Sequence, residues 1–271
     1  MTAFLGVGGG LALPLGAGAA IGLILGLIGA GGSILATPLL IYLVGVPTPH
    51  QAIGIGATAV AVSALANLAL KTRAGVVRWP CGLTFAVPGV AGALIGAQLG
   101  KAIDGGKLLA LFGALMIVVG LMMTRRRSGK DDATVRLTRD SAALLAPRLM
   151  AAGFAVGLLS GFFGIGGGFL IVPGLMLATG LPIEMAVATS LIAVAAFGAS
   201  TAASYAASGL IDWRIAAWFI IGGVVGALPG GRLSRHLAER KQLLTMLFSA
   251  VVIMVGVYIV WRGWSVFAIG A

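Results

Sequence analysis

The sequence predicts an all-α protein that crosses a membrane several times. Hydrophobic residues make up 59% of the 271 positions and charged residues only 9%, and the mean hydropathy is +1.10. A soluble domain would carry roughly 25% charged residues. The apolar residues also form stretches long enough for a membrane helix, which needs about 20 residues. Eight such stretches lie at 11–44, 50–70, 80–101, 107–124, 149–179, 184–207, 213–231 and 241–261.

The first and fifth stretches are longer than one crossing requires. As straight helices, their about 34 and 31 residues would extend roughly 45–50 Å, against a hydrocarbon core of about 30 Å. Each contains a glycine cluster followed by a proline, Pro38 in the first stretch and Pro173 in the fifth. Glycine costs about 1 kcal/mol and proline about 3 kcal/mol inside a helix. We therefore expect both stretches to break, with Pro38 and Pro173 as helix-breaking residues, and both a re-entrant hairpin and an interrupted crossing fit the pattern.

The two glycine clusters belong to an internal repeat, because they lie 135 residues apart and further matches follow at nearly the same offset. The matched groups are Gly75 to Trp79 with Gly209 to Trp213, Gly92 to Leu94 with Gly226 to Leu228, and Ile117 to Gly120 with Ile253 to Gly256. The repeat predicts two homologous units of four stretches each, 1–124 and 149–271, joined by a basic loop at 125–148. Each unit starts with its glycine-broken helix.

The net charge of +11 indicates membrane topology rather than nucleic-acid binding, because all 18 lysines and arginines lie between the apolar stretches or at their margins. If each broken stretch returns to the side it came from, the loops at 71–78, 125–148 and 232–241 share one side and hold 14 of the 18. If each crosses once, the division is 12 to 6. The positive-inside rule favours the first scheme, which makes the repeats inverted and loop 125–148 cytoplasmic.

A broken membrane helix frees N–H and C=O groups that must face protein, water or a ligand. At the start of a half-helix, these N–H groups and the positive end of the helix dipole favour anions, and glycine lets a ligand approach the backbone. No charged residue lies deep in an apolar stretch, so hydroxyls and one amide would complete such a site. The predicted substrate-binding residues are Gly29, Gly31, Gly32, Ser33, Gly164, Gly166, Gly167, Gly168, Thr189, Ser190, Asn67 and Thr201. The alternative for each polar residue is a hydrogen bond between helices, and for the glycines tight packing.

His50 and Glu184 occupy equivalent positions in the two units, each just after a proline. Either could titrate during proton-coupled transport. The alternative is that both begin a helix at the membrane interface. The sequence shows no nucleotide, metal or nucleophile motif, so we predict no catalytic residue, no metal and no cofactor, and do not expect an enzyme.

These motifs resemble the sulfite exporter TauE/SafE family. The resemblance rests on Gly29-Ala30-Gly31-Gly32-Ser33 with Pro38, on Pro47-Thr48-Pro49-His50-Gln51-Ala52-Ile53-Gly54, on Gly164-Ile165-Gly166-Gly167-Gly168 with Pro173, and on Ala188-Thr189-Ser190. It implies a permease for sulfur-containing anions such as sulfite, sulfonates or thiosulfate. The first unit departs from the pattern, since Ile55-Gly56 stands where a pair like Thr189-Ser190 would be expected.

Together, the residues and the resemblance predict a secondary transporter of a small, sulfur-containing anion, either an exporter or an importer. We expect it in a cell membrane, the inner membrane in a bacterium, with the anion and the lipid bilayer as partners and no nucleic acid. The alternative is a non-transporting membrane anchor that contacts a partner enzyme through loop 125–148. The sequence leaves the direction of transport, the coupling ion and the formation of a homo-oligomer open.

Overall fold

A computed structural model describes residues 12–28, 30–72, 75–125, 139–164, 168–236 and 241–269. Within these residues the chain forms helices and no strand, which confirms the all-α prediction. The α-helices are α1 (Ala12–Ile28), α2 (Ala36–Leu39), α3 (Pro49–Thr72), α4 (Trp79–Ala102), α5 (Gly105–Arg125), α6 (Arg139–Phe163), α7 (Gly168–Thr179), α8 (Ile183–Ala207), α9 (Trp213–His236) and α10 (Lys241–Ile269). A 3-10 segment, Ala30–Leu35, precedes α2, and a π-helical turn, Leu40–Val44, follows it.

Both long apolar stretches are divided at their glycine clusters. The first becomes α1 and a second helical part at residues 30–44, and the second becomes α6 and α7. The eight stretches therefore become ten helical parts among the described residues. The second part ends in both cases at a glycine with positive φ, Gly45 at 81° and Gly180 at 74°, a conformation that glycine adopts without a steric penalty.

One boundary differs from the sequence prediction. The helix α6 begins at Arg139, so residues 139–148 belong to a helix rather than to the connecting loop. The charged first turn does not prevent helix formation, because a helix can extend beyond the apolar part that a membrane covers. The rest of the predicted loop, 126–138, lies outside the described residues.

Five of the described helices are long and apolar enough to cross a membrane, judged by length and composition. They are Pro49–Ala69, Trp79–Ala102, Gly105–Met122, Leu145–Phe163 and Met185–Ala207. Shorter apolar helical parts lie at Ala12–Ile24, Ser33–Val44, Leu170–Thr179, Trp213–Ala227 and Ser249–Arg262. The chain is thus a multi-pass membrane protein.

The helices pack in pairs that respect the sequence repeat. The most extensive contacts join α1 with α9, α4 with α6, α5 with α10, and α3 with α8. In the repeat alignment, α1 corresponds to α6, α3 to α8, α4 to α9 and α5 to α10. If every helix is replaced by its counterpart in the other unit, the same four pairs result.

Glycines at corresponding positions make corresponding contacts. A Cβ added to Gly18 would collide with the carbonyl oxygen of Phe219, and one added to Gly153 would collide with that of Phe85. The same exchange relates the contacts of Gly22 with Gly223 and Gly157 with Gly89, and of Gly226 with Ala19 and Gly92 with Phe154. Without side chains at these glycines, the backbones of α1 and α9, and of α4 and α6, approach closely, as membrane helices with small residues do.

The helices α3 and α8, which correspond to each other, run antiparallel. The ring of His50, at the start of α3, lies 6.5 Å from the ring of Tyr205, near the end of α8, measured between centroids. Farther along, a Cβ added to Gly198 would lie 3.1 Å from the Cβ of Ala61. The corresponding helices α5 and α10 are also antiparallel, because Gly113 lies against Gly256 and Gly120 against Ser249.

Candidate functional site

The two interrupted helices meet inside the protein. The 3-10 segment Ala30–Leu35 packs against α7, so the helical part that follows the first glycine cluster contacts the one that follows the second. Gly31 and Gly32 lie in the 3-10 segment and Gly168 begins α7. Gly29, Gly166 and Gly167 lie outside the described residues. The helical parts that follow the two glycine clusters therefore lie against each other.

The second break begins with a tight turn at Gly164. Its φ is 64°, and its N–H donates to the carbonyl oxygen of Gly161 at 3.2 Å. A Cβ added to Gly164 would collide with the side chain of Ile53 on α3. Only glycine satisfies both conditions, the left-handed backbone and the close neighbour.

The first broken segment places two hydroxyl side chains in the interior. Ser33 is 1% exposed and Thr37 is 3% exposed. Thr37 lies beside α3, since a Cβ added to Gly56 would be 4.0 Å from the Thr37 Oγ1. The segment that carries Ser33 packs against α7, and the first N–H groups of an α-helix have no partner within it.

Thr189 and Ser190 are both fully buried, and the structure assigns each a hydrogen bond within the protein. The Oγ1 of Thr189 accepts a hydrogen bond from the backbone N–H of Arg78 at 3.0 Å. The hydroxyl of Ser190 donates to the carbonyl oxygen of Val187 at 2.9 Å. An acceptor position of Thr189 is thus used to hold the start of α4 against α8.

Asn67 and Thr201 hold equivalent sequence positions, but the structure does not bring them together. The antiparallel contacts of α3 and α8 place Thr201 level with the region of Ala57, about ten residues or roughly 15 Å from Asn67 along the helix axis. The Nδ2 of Asn67 donates to the carbonyl oxygen of Ser63 on its own helix at 2.9 Å. The Oγ1 of Thr201 is buried and has no hydrogen-bond partner among the described residues.

His50 and Glu184 lie at opposite ends of the α3 and α8 pair, because each is the second residue of its antiparallel helix. The Nδ1 of His50 is buried and has no hydrogen-bond partner within the part of the chain that the structure describes. The side chain of Glu184 lies outside the described part. One small ligand therefore cannot contact both residues at the same time.

The interruptions do not lie at the two predicted helix-breaking prolines. Pro38 is the third residue of α2, and Pro173 lies inside α7. Pro88, Pro147 and Pro229 also lie inside helices. Membrane helices tolerate proline because neighbouring groups satisfy the freed backbone atoms, so here the glycine clusters coincide with the breaks and the prolines do not.

Sequence reasoning missed Tyr205 and Lys101, which lie at the end of the α3 and α8 pair. The ammonium of Lys101 donates to the carbonyl oxygen and the Oγ of Ser204 at 3.2 and 3.0 Å, and to the Oγ of Ser208 at 2.9 Å. It also lies 5.6 Å from the centre of the Tyr205 ring. The available signal was Tyr205 itself, a polar ring four residues after Thr201 in an otherwise apolar stretch.

Among the described residues, no group of three or more histidine, cysteine, aspartate or glutamate side chains could hold a metal ion. The helical parts that follow the two glycine clusters instead bring buried hydroxyls and small side chains together. Interrupted helices of this kind in a multi-pass helical protein are typical of the class of membrane transporters.

The chain belongs to the sulfite exporter TauE/SafE family, whose sequence model matches residues 13–259. A probable membrane transporter protein of Xylella fastidiosa strain 9a5c is 45% identical over 255 residues, which cover 94% of this chain and 97% of that protein. The probable membrane transporter protein YunE of Bacillus subtilis is 29% identical over 90% of this chain and 96% of its own length. No solved structure matches the chain. The protein is therefore a membrane transporter, and the predicted family is confirmed.

Proposed function

We propose that this transporter carries a small sulfur-containing anion, such as sulfite, a sulfonate or thiosulfate, across the cell membrane by secondary transport. The main support for this proposal is the contact between the 3-10 segment Ala30–Leu35 and α7. This contact brings together the helical parts that follow the two glycine clusters. The description of the family as a sulfite exporter supports the choice of anion.

The chemistry of this contact favours an anion over a cation. Free N–H groups at a helix start, together with the positive end of its dipole, stabilise negative charge. The buried hydroxyls of Ser33 and Thr37 add groups that can donate hydrogen bonds. An oxyanion with several acceptor oxygens matches such a set of donors, and glycine at positions 31 and 168 leaves the backbone accessible.

We also propose that the two halves form an inverted repeat that moves by alternating access. Support comes from the corresponding helices α3 and α8, and α5 and α10, which pack antiparallel. Two copies related by a pseudo-twofold axis in the membrane plane would place their counterparts in this way. The basic segments at 71–78, 125–148 and 232–241 then share the cytoplasmic side, in agreement with the positive-inside rule.

Flux in proteoliposomes tests the proposal. Purified protein should move radiolabelled sulfite, a sulfonate or thiosulfate in response to an imposed ion gradient, whereas protein-free vesicles should not. Absence of flux for all three anions under gradients of protons and of sodium would overturn the proposal. Exchange of labelled for unlabelled anion, without any gradient, would identify the transported species.

Substitutions at the breaks locate the site. Gly31→Leu and Gly168→Leu would each place a bulky side chain beside the proposed anion and should reduce flux at least tenfold. Gly16→Leu is the matched control, because a Cβ at Gly16 would meet no atom within 4 Å. If Gly31→Leu and Gly168→Leu fold and transport like Gly16→Leu, the anion does not bind at the breaks.

A further inference from the structure

One face of α8 lines a polar seam against α3. Gly198, Thr201 and Tyr205 are spaced three and four residues apart, so they lie on one side of the helix. Gly198 faces Ala61, and the Cβ of Tyr205 lies 3.2 Å from the position that a Cβ on Gly54 would take. The ring of Tyr205 then reaches the ring of His50 on the first turn of α3. The seam comprises His50, Thr201 and Tyr205.

Each of these three residues has a buried polar atom without a hydrogen bond among the described residues. The atoms are His50 Nδ1, Thr201 Oγ1 and Tyr205 OH. Thr201 and Tyr205 are both 0% exposed. Because buried polar groups in proteins are nearly always paired, directly or through ordered water, three unpaired atoms along one helix contact indicate a place for water.

Charged groups lie around the end of the seam at His50 and Tyr205. The Lys101 ammonium lies over the Tyr205 ring, and its three donors are all engaged by Ser204 and Ser208. The carboxylates of Asp104 and Asp212 accept hydrogen bonds from the first turns of their own helices. The ionisable groups near the start of α3 are Tyr42, Lys101, Asp104, Lys107, Tyr205, Asp212 and Arg214.

The seam and the second glycine break contact adjacent residues of α3. Gly54 faces Tyr205, and Ile53 contacts Gly164. His50 itself is partly exposed, so the seam has one end near the surface and the other at the fully buried Thr201. A change in hydration or charge at His50 would therefore act within one helical turn of the proposed anion site.

We propose that His50, Tyr205 and Thr201 bind water in this seam, and that proton binding at His50 is linked to anion binding at the glycine breaks. This inference rests on the proposed function. Imidazole exchanges its proton near neutral pH. A proton on His50 would place a positive charge one helical turn from Ile53, which contacts Gly164 at the second glycine break. That charge attracts an anion bound at the break, so each binding event favours the other.

The equilibrium test measures anion binding to the purified, full-length protein by calorimetry between about pH 5 and 8. Thiosulfate or methanesulfonate is the probe, since neither changes its charge in this range. Affinity should rise about fivefold or more toward low pH, and His50→Gln should abolish the rise. His236→Gln is the matched control, because His236 is the only other histidine in the sequence, and it should retain the rise.

The kinetic test uses proteoliposomes that enclose a pH-sensitive dye. Tyr205→Phe and Thr201→Val should slow the proton movement that accompanies anion flux several-fold, while exchange of labelled for unlabelled anion continues. Tyr258→Phe, on the exposed face of α10, should change neither rate. Proton movement at the normal rate in both seam variants would overturn the role assigned to the water.

The outcomes separate this inference from the proposed function. If the unmodified protein binds and transports none of the anions at any pH, the proposed function fails. If it transports them but its affinity does not change with pH, or if His50→Gln keeps the change, the link to His50 fails while the proposed function stands.

Discussion

The starts of α4 and α9 occupy equivalent positions in the two halves, yet their backbones are held by different partners. At α9, the Oδ1 of Asp212 accepts hydrogen bonds from the N–H groups of Arg214 and Ile215 at 2.9 and 3.1 Å. At α4 the equivalent residue is Arg78, which makes no side-chain cap. Its own N–H instead donates to Thr189 Oγ1 on α8. One helix start is stabilised locally and the other across 111 residues of sequence.

The comparison gives a structural reason for the departure from the family pattern at Ile55. Ile55 is the counterpart of Thr189 and is fully buried. The helix start that corresponds to α4 in the other half already has the Asp212 carboxylate, so it does not depend on a hydroxyl at position 55. Thr189 therefore has a structural role, which is to hold the start of α4. The two halves differ in their polar side chains at these helix starts, although they share their glycine contacts.

The largest expected effect tests the glycine contacts that the two halves share. Gly22→Leu and Gly157→Leu should destabilise the protein to a similar extent, because a Cβ at either residue collides with the backbone of the facing helix, at Gly223 and Gly89 respectively. Overpacking typically costs about 1–3 kcal/mol and occasionally more. Thermal unfolding in detergent would measure the loss, with Gly16→Leu as control. A large loss in one variant and none in the other would contradict the equivalence of the two helix pairs.

The next effect tests the bond that crosses between the halves. Thr189→Val keeps the shape of the side chain but leaves the Arg78 N–H without its acceptor, which costs about 1–3 kcal/mol when the group is buried. Thr189→Ser, which retains the hydroxyl, is the control. Thermal unfolding and anion flux should be measured together.

The pair of measurements distinguishes the two roles of Thr189. If Thr189→Val lowers the unfolding temperature but transports normally at a temperature where it is folded, the hydroxyl is structural. If flux falls although stability is unchanged, Thr189 serves transport, and its hydrogen bond to Arg78 does not stabilise the protein. Loss of both would show that the hydroxyl serves the helix start and the anion.

Much of the fold followed from local sequence patterns. Apolar stretches and glycine clusters predicted the helices and both interruptions, because membrane helices satisfy their own backbone and glycine weakens them locally. The role of Pro173 was misjudged, since the same clusters sufficed to end the preceding helix and the proline lies inside α7.

The candidate site was less predictable, because its contacts depend on helix packing. Thr189 was expected near substrate, but its bond to Arg78 joins residues far apart in sequence. Asn67 and Thr201 looked equivalent, and their antiparallel helices separate them. Tyr205 was overlooked because a lone tyrosine in an apolar stretch gives no indication that a histidine ring lies beside it.

The smallest expected effect tests the local cap of the second half. Asp212→Ala removes the acceptor for the first turn of α9 and should cost about 0.5–2 kcal/mol, whereas Asp212→Asn should retain most of the stability. Asp104, which accepts hydrogen bonds from the N–H groups of Gly106 and Lys107 at the start of α5, offers a matched cap on another helix. Thermal unfolding of Asp212→Ala, Asp104→Ala and the double variant should show additive losses, since the two caps share no partner.

Because Asp212 acts on its own helix and Thr189 acts on the start of α4 in the other half, Asp212→Ala should leave the contact between α4 and α8 intact. Protection of the Arg78 amide from hydrogen exchange should therefore fall in Thr189→Val and stay unchanged in Asp212→Ala, and equal loss in both variants would contradict the separation of the two helix starts.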